Sequence, residues 1–359
     1  MTNATTPVEV AWFGALCDDD YEFLGVPDPA LRSSWHHCSD LVRRADELAY
    51  DNVLLPSGYA LGIDSVAFAG GIAQTLNQIR LLVAVRCGEL WPPQLARQLA
   101  TLDQMLRGRL TINIISSDRP GETLESAPRY RRTLEVMQIL RTLLNGLPVT
   151  HHGEFYTLEL DPPAQRTASG RCPLLYFGGQ SAAARDVGAQ AGDVYLLWPD
   201  TIPNVAGVIS DLTNRARAYG RSLRFGYRVH VIVRETEADA RQAARRLVSR
   251  LDDATGSDIR GRSLDAGSVG VHQQSALRAR AADDGFVEEN LWTGIGRARS
   301  GCGAAIVGDP DQVLAKIAAY RALGIESFIL SGYPHRAEAE HFARLVLPHL
   351  HHGALPCAD

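Results

Sequence analysis

The sequence predicts a (β/α)8 barrel, and three observations carry that prediction. Eight short apolar or β-branched runs alternate with amphipathic stretches of helical period along the chain. Gly108, Gly146, Gly220 and Gly324 stand where helix ends need a left-handed residue. The 359 residues are more than an average domain but ordinary for a barrel. Regular alternation favours the closed barrel over a doubly wound sheet. The whole chain, 1–359, reads as one domain without internal repeats.

The elements follow in order. Strand one (Val8–Gly14) precedes a helix at Ser34–Tyr50, and strand two (Asn52–Pro56) precedes one at Ser65–Asn77. Strand three (Ile79–Arg86) leads into Pro92–Gly108, where two prolines suit a first helical turn. Strands four (Leu110–Ser116), five (Leu174–Gly179) and six (Val194–Pro199) are followed by helices at Pro128–Gly146, Ser181–Gly192 and Asn204–Gly220. Strand seven (Arg224–Arg234) is followed by Thr236–Asp253. A helix at Asp309–Gly324, strand eight (Ser327–Tyr333) and a closing helix from Arg336 complete the pattern. Residues 254–289 break it. They are rich in Gly, Ser, Asp, Ala and Arg with weak periodicity, and their place after strand seven predicts a mobile lid over the barrel mouth.

Composition narrows the function. With 36 basic and 41 acidic residues the net charge is −5, which argues against a nucleic-acid footprint or a polybasic membrane patch. No apolar run reaches the roughly 18–20 residues of a membrane span, and the polar N-terminus resembles no signal peptide, so a cytoplasmic location is expected. Six scattered cysteines form no C-x-x-C pair, against a disulfide framework or a zinc site. His36-His37, His151-His152 and the histidines at 349, 351 and 352 read as surface runs, and no metal is expected. Lys316 is the only lysine and is predicted on a solvated helix face, which removes Schiff-base and P-loop chemistry. The acidic run Asp18-Asp19-Asp20 reads as a solvated loop rather than a cation site.

Candidate chemistry gathers at the strand ends. In Arg228-Val-His-Val-Ile-Val-Arg234 the period of two sends Arg228 and His230 to one face and the valines to the other. In a barrel that places the two polar residues in the lumen. A cation there needs either a buried carboxylate or an anionic ligand. Strand eight ends in Ser331-Gly-Tyr333-Pro-His335, strand six in Trp198-Pro199, and strand four supplies Asn113. Gly178-Gly179-Gln180-Ser181 joins a strand to a helix start. Two glycines with a free helix N-terminus suit an anion cradle, although the pattern is not the dinucleotide-binding G-x-G-x-x-G.

These residues carry a family likeness. Through Ala96–Asp103 with Gly108-Arg109, Pro173–Gly179, Arg224–Thr236, Asn290–Gly308 and Gly324–His335, the chain resembles the bacterial luciferase-like flavin monooxygenases, and within them the alkanesulfonate monooxygenase group. The resemblance implies a TIM barrel, reduced FMN (FMNH2) delivered by a separate NAD(P)H:flavin reductase, O2, and a homo-oligomer, dimer or tetramer. The implied reaction is desulfonation of an alkanesulfonate to aldehyde and sulfite. By position, Tyr130, Gly178, Gly179, Gln180 and Ser181 would hold the FMN phosphate, with Asn113 beside the ring. Trp198, Arg228, His230, Arg299, Tyr333 and His335 would form the active site. Arg228 and Arg299 would clamp the anion, Trp198 and His335 would border the substrate, and His230 and Tyr333 would handle protons. The chain departs from its resemblance at the mouth: at Cys17, in the loop over residues 57–64, and in a short loop beyond Ser116. Those departures bear on substrate identity more than on flavin use. The alternatives are a related enzyme acting on a sulfone, thiophene, amine or flavin, a deazaflavin-dependent hydride transferase, and a non-catalytic flavin binder.

Overall fold

Eight parallel strands close on themselves in the computed structural model, which describes residues 6–59, 62–117, 119, 121–122, 124–261, 268–299 and 301–357. They are β1 (Glu9–Phe13), β2 (Asn52–Leu55), β3 (Arg80–Arg86), β4 (Leu110–Ile115), β5 (Leu175–Gly178), β6 (Val194–Leu197), β7 (Arg224–Val233) and β8 (Ile325–Ser331). Each pairs with its neighbour in the chain, β8 returns to β1, and β6 meets β7 to seal the wall. Around them run α1 (Trp35–Glu47), α2 (Ser65–Ile72), α3 (Pro92–Met105), α4 (Ser126–Leu144), α5 (Ala182–Ala191), α6 (Ile202–Ala218) and α7 (Glu237–Leu247). The insertion carries α8 (Asp253–Gly261) and α9 (Val269–Ala279), after which come α10 (Pro310–Ala322) and α11 (His335–Leu345).

The predicted alternation is present because each strand serves two cores. Val229, Val231 and Val233 of β7 pack outward among the helices, while Ala11, Phe13, Leu54, Leu82, Tyr176 and Ile329 fill the lumen. Local signals end the helices as expected: Gly108 and Gly324 take φ of +81° and +103°. A capping box starts α10, with Asp309 accepting from the Gln312 amide at 2.9 Å and Gln312 accepting from the Asp309 amide at 3.0 Å.

Polar bonds close the N-terminal end of the barrel. The fully buried Glu9 carboxyl accepts from Tyr176 Oη at 2.7 Å, Ser327 Oγ at 2.8 Å and Asn52 Nδ2 at 3.3 Å. Leu355 of the C-terminal tail packs beneath it, held through its carbonyl by Arg80. Glu9→Ala would take the acceptor from the buried Tyr176 and Ser327 hydroxyls and one of the two from Asn52 Nδ2, and about 3 kcal/mol of stability should be lost, read as a lower urea midpoint.

The insertion differs from the featureless lid that the sequence predicts. Residues 262–267 lie outside the described residues, as do Leu61 and, in the loop beyond Ser116, Asp118, Pro120 and Thr123. The described part is largely helical, and Ser268 caps α9 by accepting from the Val271 amide at 3.3 Å. In α9 only Gly270, Val271, Gln274 and Leu277 are buried, a stripe too narrow and too polar to register as periodicity. A strand that the sequence reading missed, Ala305–Gly308, pairs with the second half of β7 on the edge that β6 occupies lower down. It carries two short antiparallel strands, Leu291–Trp292 and Phe286–Glu288. Their fold over α10 also overturns the prediction for Lys316. That side chain is buried, with Nζ 2.6 Å from Glu288 Oε1 and 2.8 Å from the Glu289 carbonyl. Burial is tolerated because the charge is paired. Among the described residues no helix is long and apolar enough to cross a membrane.

Candidate active site

The C-terminal mouth of the barrel brings the predicted residues together. Arg228 and His230 share the lumen face of β7, as the strand period requires, and both are buried. The Arg228 guanidinium lies over the Phe13 ring, 4.4 Å from its centre. Its Nη1 donates to Ser331 Oγ at 2.8 Å, Val229 O at 3.2 Å and Ile329 O at 3.3 Å. No carboxylate among the described residues reaches ion-pair distance of it, so a buried carboxylate is not what holds this cation.

The two rings beyond it are packed tightly. Tyr333 stacks on His230 with centres 5.4 Å apart, and its edge meets His335 at 5.0 Å. His335 opens α11 and stacks on Phe13 at 5.7 Å. Its ring Nδ1 is buried with no hydrogen-bond partner among the described residues. Both ring nitrogens of His230 are engaged, Nε2 by the Cys302 carbonyl at 3.1 Å and Nδ1 by Ser331 Oγ at 2.7 Å. Burial, then the nearby Arg228 charge, pushes His230 well below its ordinary pKa. Burial, only partly offset by Asp20, takes His335 down to about 3, and burial raises the Tyr333 phenol to about 12. At neutral pH the site therefore holds two neutral imidazoles and a neutral phenol around a cationic guanidinium.

Arg299, from the segment after the insertion, reaches the same mouth and pairs with Asp18. The acidic run after β1 is thus no solvated loop. Asp18 answers Arg299, Asp19 accepts from the Ser33 amide at 2.8 Å, and the fully buried Asp20 accepts from the His335 amide at 2.9 and 3.1 Å. His37 Nε2 lies 3.2 Å from Asp20, off the hydrogen-bonding direction. His151 and His352 likewise sit 3.1 Å from Glu135 and Asp51, which anchors two of the other histidines read as surface runs. Among the described residues no group of three His, Cys, Asp or Glu side chains is placed to hold a metal ion.

A few ångströms of backbone form the anion cradle. A Cβ on Gly179 would come 2.5 Å from the Ala184 Cβ and 3.2 Å from Tyr130 Oη, and one on Gly178 would come 2.8 Å from the Leu196 carbonyl. Only glycine lets this turn lie against α5 and Tyr130 together. Tyr195 Oη donates to the Gly179 carbonyl at 2.7 Å, and Ser181 caps α5 by accepting from the Ala184 amide at 3.1 Å. Tyr130 meets Phe177 edge-on at 6.3 Å. Gln180 is half-buried beside the turn, and Asn113 is half-buried in β4. A tight glycine turn, a ten-residue helix N-terminus and a phenol facing one point fit a phosphate, and Asn113 offers an amide further along the lumen, so the residues present fit FMN.

Trp198 joins cradle and mouth. Gly270 of α9 rests on its ring, where a Cβ would come within 2.6 Å, and Gln274 Nε2 of the same helix donates to the Pro199 carbonyl at 2.7 Å. The insertion is thereby pinned across β6. A groove of about 390 Å³ opens between α6 and α9, lined by Gln180, Trp198, Asn204, Gln274 and Arg280.

Sequence reasoning did not assign roles to Ser331, Asp18 or Phe13. Ser331 was accessible to it, because Ser327, Ile329 and Ser331 share the period that placed Arg228 and His230. Asp18 was not, since its partner lies 281 residues away.

Comparison with known proteins follows the same line. A family model described as luciferase-like monooxygenase matches residues 23–327. A sulfoquinovose monooxygenase of Novosphingobium aromaticivorans is 63% identical over 354 residues, covering 97% of this chain and 98% of the relative. Another, of Agrobacterium fabrum, is 51% identical over 352 residues, covering 98% and 91%. Among solved structures, a riboflavin lyase with modified FMN and riboflavin superposes with a TM-score of 0.76 at 15% identity, covering 96% of this chain and 91% of that one, a likeness of fold.

Proposed function

This chain belongs to the luciferase-like monooxygenase family, and from that premise we propose that it desulfonates a sulfonated sugar of the sulfoquinovose kind, using reduced FMN and O2. As a flavin-dependent monooxygenase it has the fold and the enzyme class that the sequence predicts. The alkanesulfonate expected there gives way, in this reading, to the sugar sulfonate after which both relatives are named. The balanced reaction is R-CH2-SO3⁻ + FMNH2 + O2 giving R-CHO, sulfite as HSO3⁻, FMN and water. A separate NAD(P)H:flavin reductase supplies the reduced flavin, one domain carries the whole site, and the chain assembles as a homo-oligomer.

The observation that carries the reading is Arg228: a buried guanidinium facing the lumen with no carboxylate paired to it among the described residues. A sulfonate is a permanent anion with three acceptor oxygens, and it matches the donor fork of arginine. Arg299 enters already neutralised by Asp18, so the electrostatic pull on an anion centres on Arg228.

Tyr130, Gly178, Gly179, Gln180 and Ser181 would hold the FMN phosphate, and Asn113 would face its ring system. Bound there, reduced FMN supplies activated oxygen. The protein's own share is to bind, orient and exclude water. Trp198 and His335 border the substrate, and α9 with Arg299 covers the mouth. Tyr333 holds its proton on Oη at neutral pH and can donate it. His230 can exchange a proton only by giving up the Cys302 or the Ser331 bond.

Sulfite release tests the reading, with purified protein, FMN, a generic flavin reductase, NADH and O2. Sulfoquinovose should release sulfite in preference to methane- through octanesulfonate. Flavin reoxidation with no sulfite from any sulfonate would overturn it, and consumption of the flavin itself would point to a lyase.

A further inference from the structure

Four groups at the end of the barrel are joined by hydrogen bonds whose direction can be worked out. The Cys302 carbonyl can only accept, so the His230 Nε2 bonded to it at 3.1 Å must carry a hydrogen. The ring is neutral at physiological pH, which leaves Nδ1 as a bare lone pair. Ser331 Oγ lies 2.7 Å from that lone pair and donates to it. The same oxygen accepts from Arg228 Nη1 at 2.8 Å. Ser331 has one hydroxyl hydrogen and no exposure to solvent, so that hydrogen is committed to His230. The order is therefore Arg228 to Ser331 to His230 to Cys302, each donating to the next.

We propose that Ser331 is a positioning residue of the monooxygenase site, whose hydroxyl donates to His230 Nδ1, opposite the Nε2–H that the Cys302 carbonyl holds, and fixes the guanidinium of Arg228. The consequence is a division of charge. The cation stays on Arg228 and none develops on His230, although the two residues are neighbours on one strand face. The groups that face His230 support this. Tyr333 stacks on the ring as a neutral phenol, and Arg299 is neutralised by Asp18. The Cys302 thiol donates away from the ring to the Arg228 carbonyl at 3.5 Å, and His335, held through its amide by Asp20, is neutral. The inference rests on the proposed function only in taking Arg228 as the seat of the anion.

Histidine-selective nitrogen-15 NMR of the full-length protein tests it, with and without FMN, the His230 signals being identified by their loss in His230→Gln. In Ser331→Ala the Nδ1 signal should move to that of an imidazole nitrogen accepting no hydrogen bond, while Nε2 stays protonated. With the sulfonate substrate, kcat/KM should fall about 10-fold or more, the scale of a lost hydrogen bond to a charged group. Ser331→Thr retains the hydroxyl on a strand-compatible side chain and should restore both readouts. An Nδ1 signal unmoved in Ser331→Ala would overturn the proposal, and so would unchanged turnover or a folded Ser331→Thr that restores neither readout. If the wild type releases no sulfite, the proposed function fails, while the NMR signals still decide the network.

Discussion

Arg228→Ala should lower kcat/KM for the sulfonate by about 10³-fold while leaving FMN affinity within about threefold. The size follows from what the side chain does. A buried guanidinium that meets an anion in a water-poor lumen contributes about 4 kcal/mol, and truncation forfeits all of it. The flavin cradle lies on β5 and α5, away from β7, so its affinity should stay near the wild-type value. Arg228→Lys should recover little. A point charge on a flexible stem cannot reach Ser331, the Ile329 carbonyl and a sulfonate oxygen together, as the planar fork can. Steady-state sulfite release and a flavin fluorescence titration check both halves. Wild-type turnover in Arg228→Ala would remove Arg228 from the site.

Gly179→Val should weaken FMN binding about 100-fold, because the turn would have to leave α5 or displace Tyr130. The Cβ alone would come 2.5 Å from the Ala184 Cβ, far inside contact distance, and the two valine methyls would fill the space in front of the helix N-terminus. A flavin titration gives the affinity, and circular dichroism confirms the fold. Gly70→Ala is the control: nothing lies within 4 Å of a Cβ there, and FMN affinity should not change. A Gly179→Val protein that binds FMN as tightly as the wild type would place the phosphate elsewhere.

Much of this site can be read along the chain. The alternation of Arg228, Val229 and His230 states which way each side chain points once β7 is a barrel strand, since a pleated strand offers two faces and helices cover only the outer one. The Gly178-Gly179 pair marks a close backbone approach wherever it occurs. Elsewhere local patterns misled. Lys316 sits on a helix with nothing nearby in sequence to bury it, yet Phe286–Glu288 folds over it and supplies the carboxylate. Residues 254–289 look irregular because α8 buries only Gly256 and α9 only Gly270, Val271, Gln274 and Leu277, so no broad hydrophobic stripe announces them. Asp18, Asp19 and Asp20 look like a solvated run because their partners, Arg299, Ser33 and the His335 amide, lie elsewhere in the chain.

By itself, then, the sequence determined the eight-strand barrel, the left-handed glycines that end its helices, and the lumen face on which Arg228 and His230 stand. All of these follow from rules that act over a few residues: period two, period 3.6, and the left-handed conformations open to glycine. Tertiary structure decided which charges meet. Asp18 neutralises Arg299 across 281 residues, while Arg228 meets Ser331 across 103 and is left with its charge toward the lumen. Periodicity assigns a side chain to a face but not to a neighbour. Only closure of the barrel brings these groups within the 3 Å or so over which hydrogen bonds and ion pairs act.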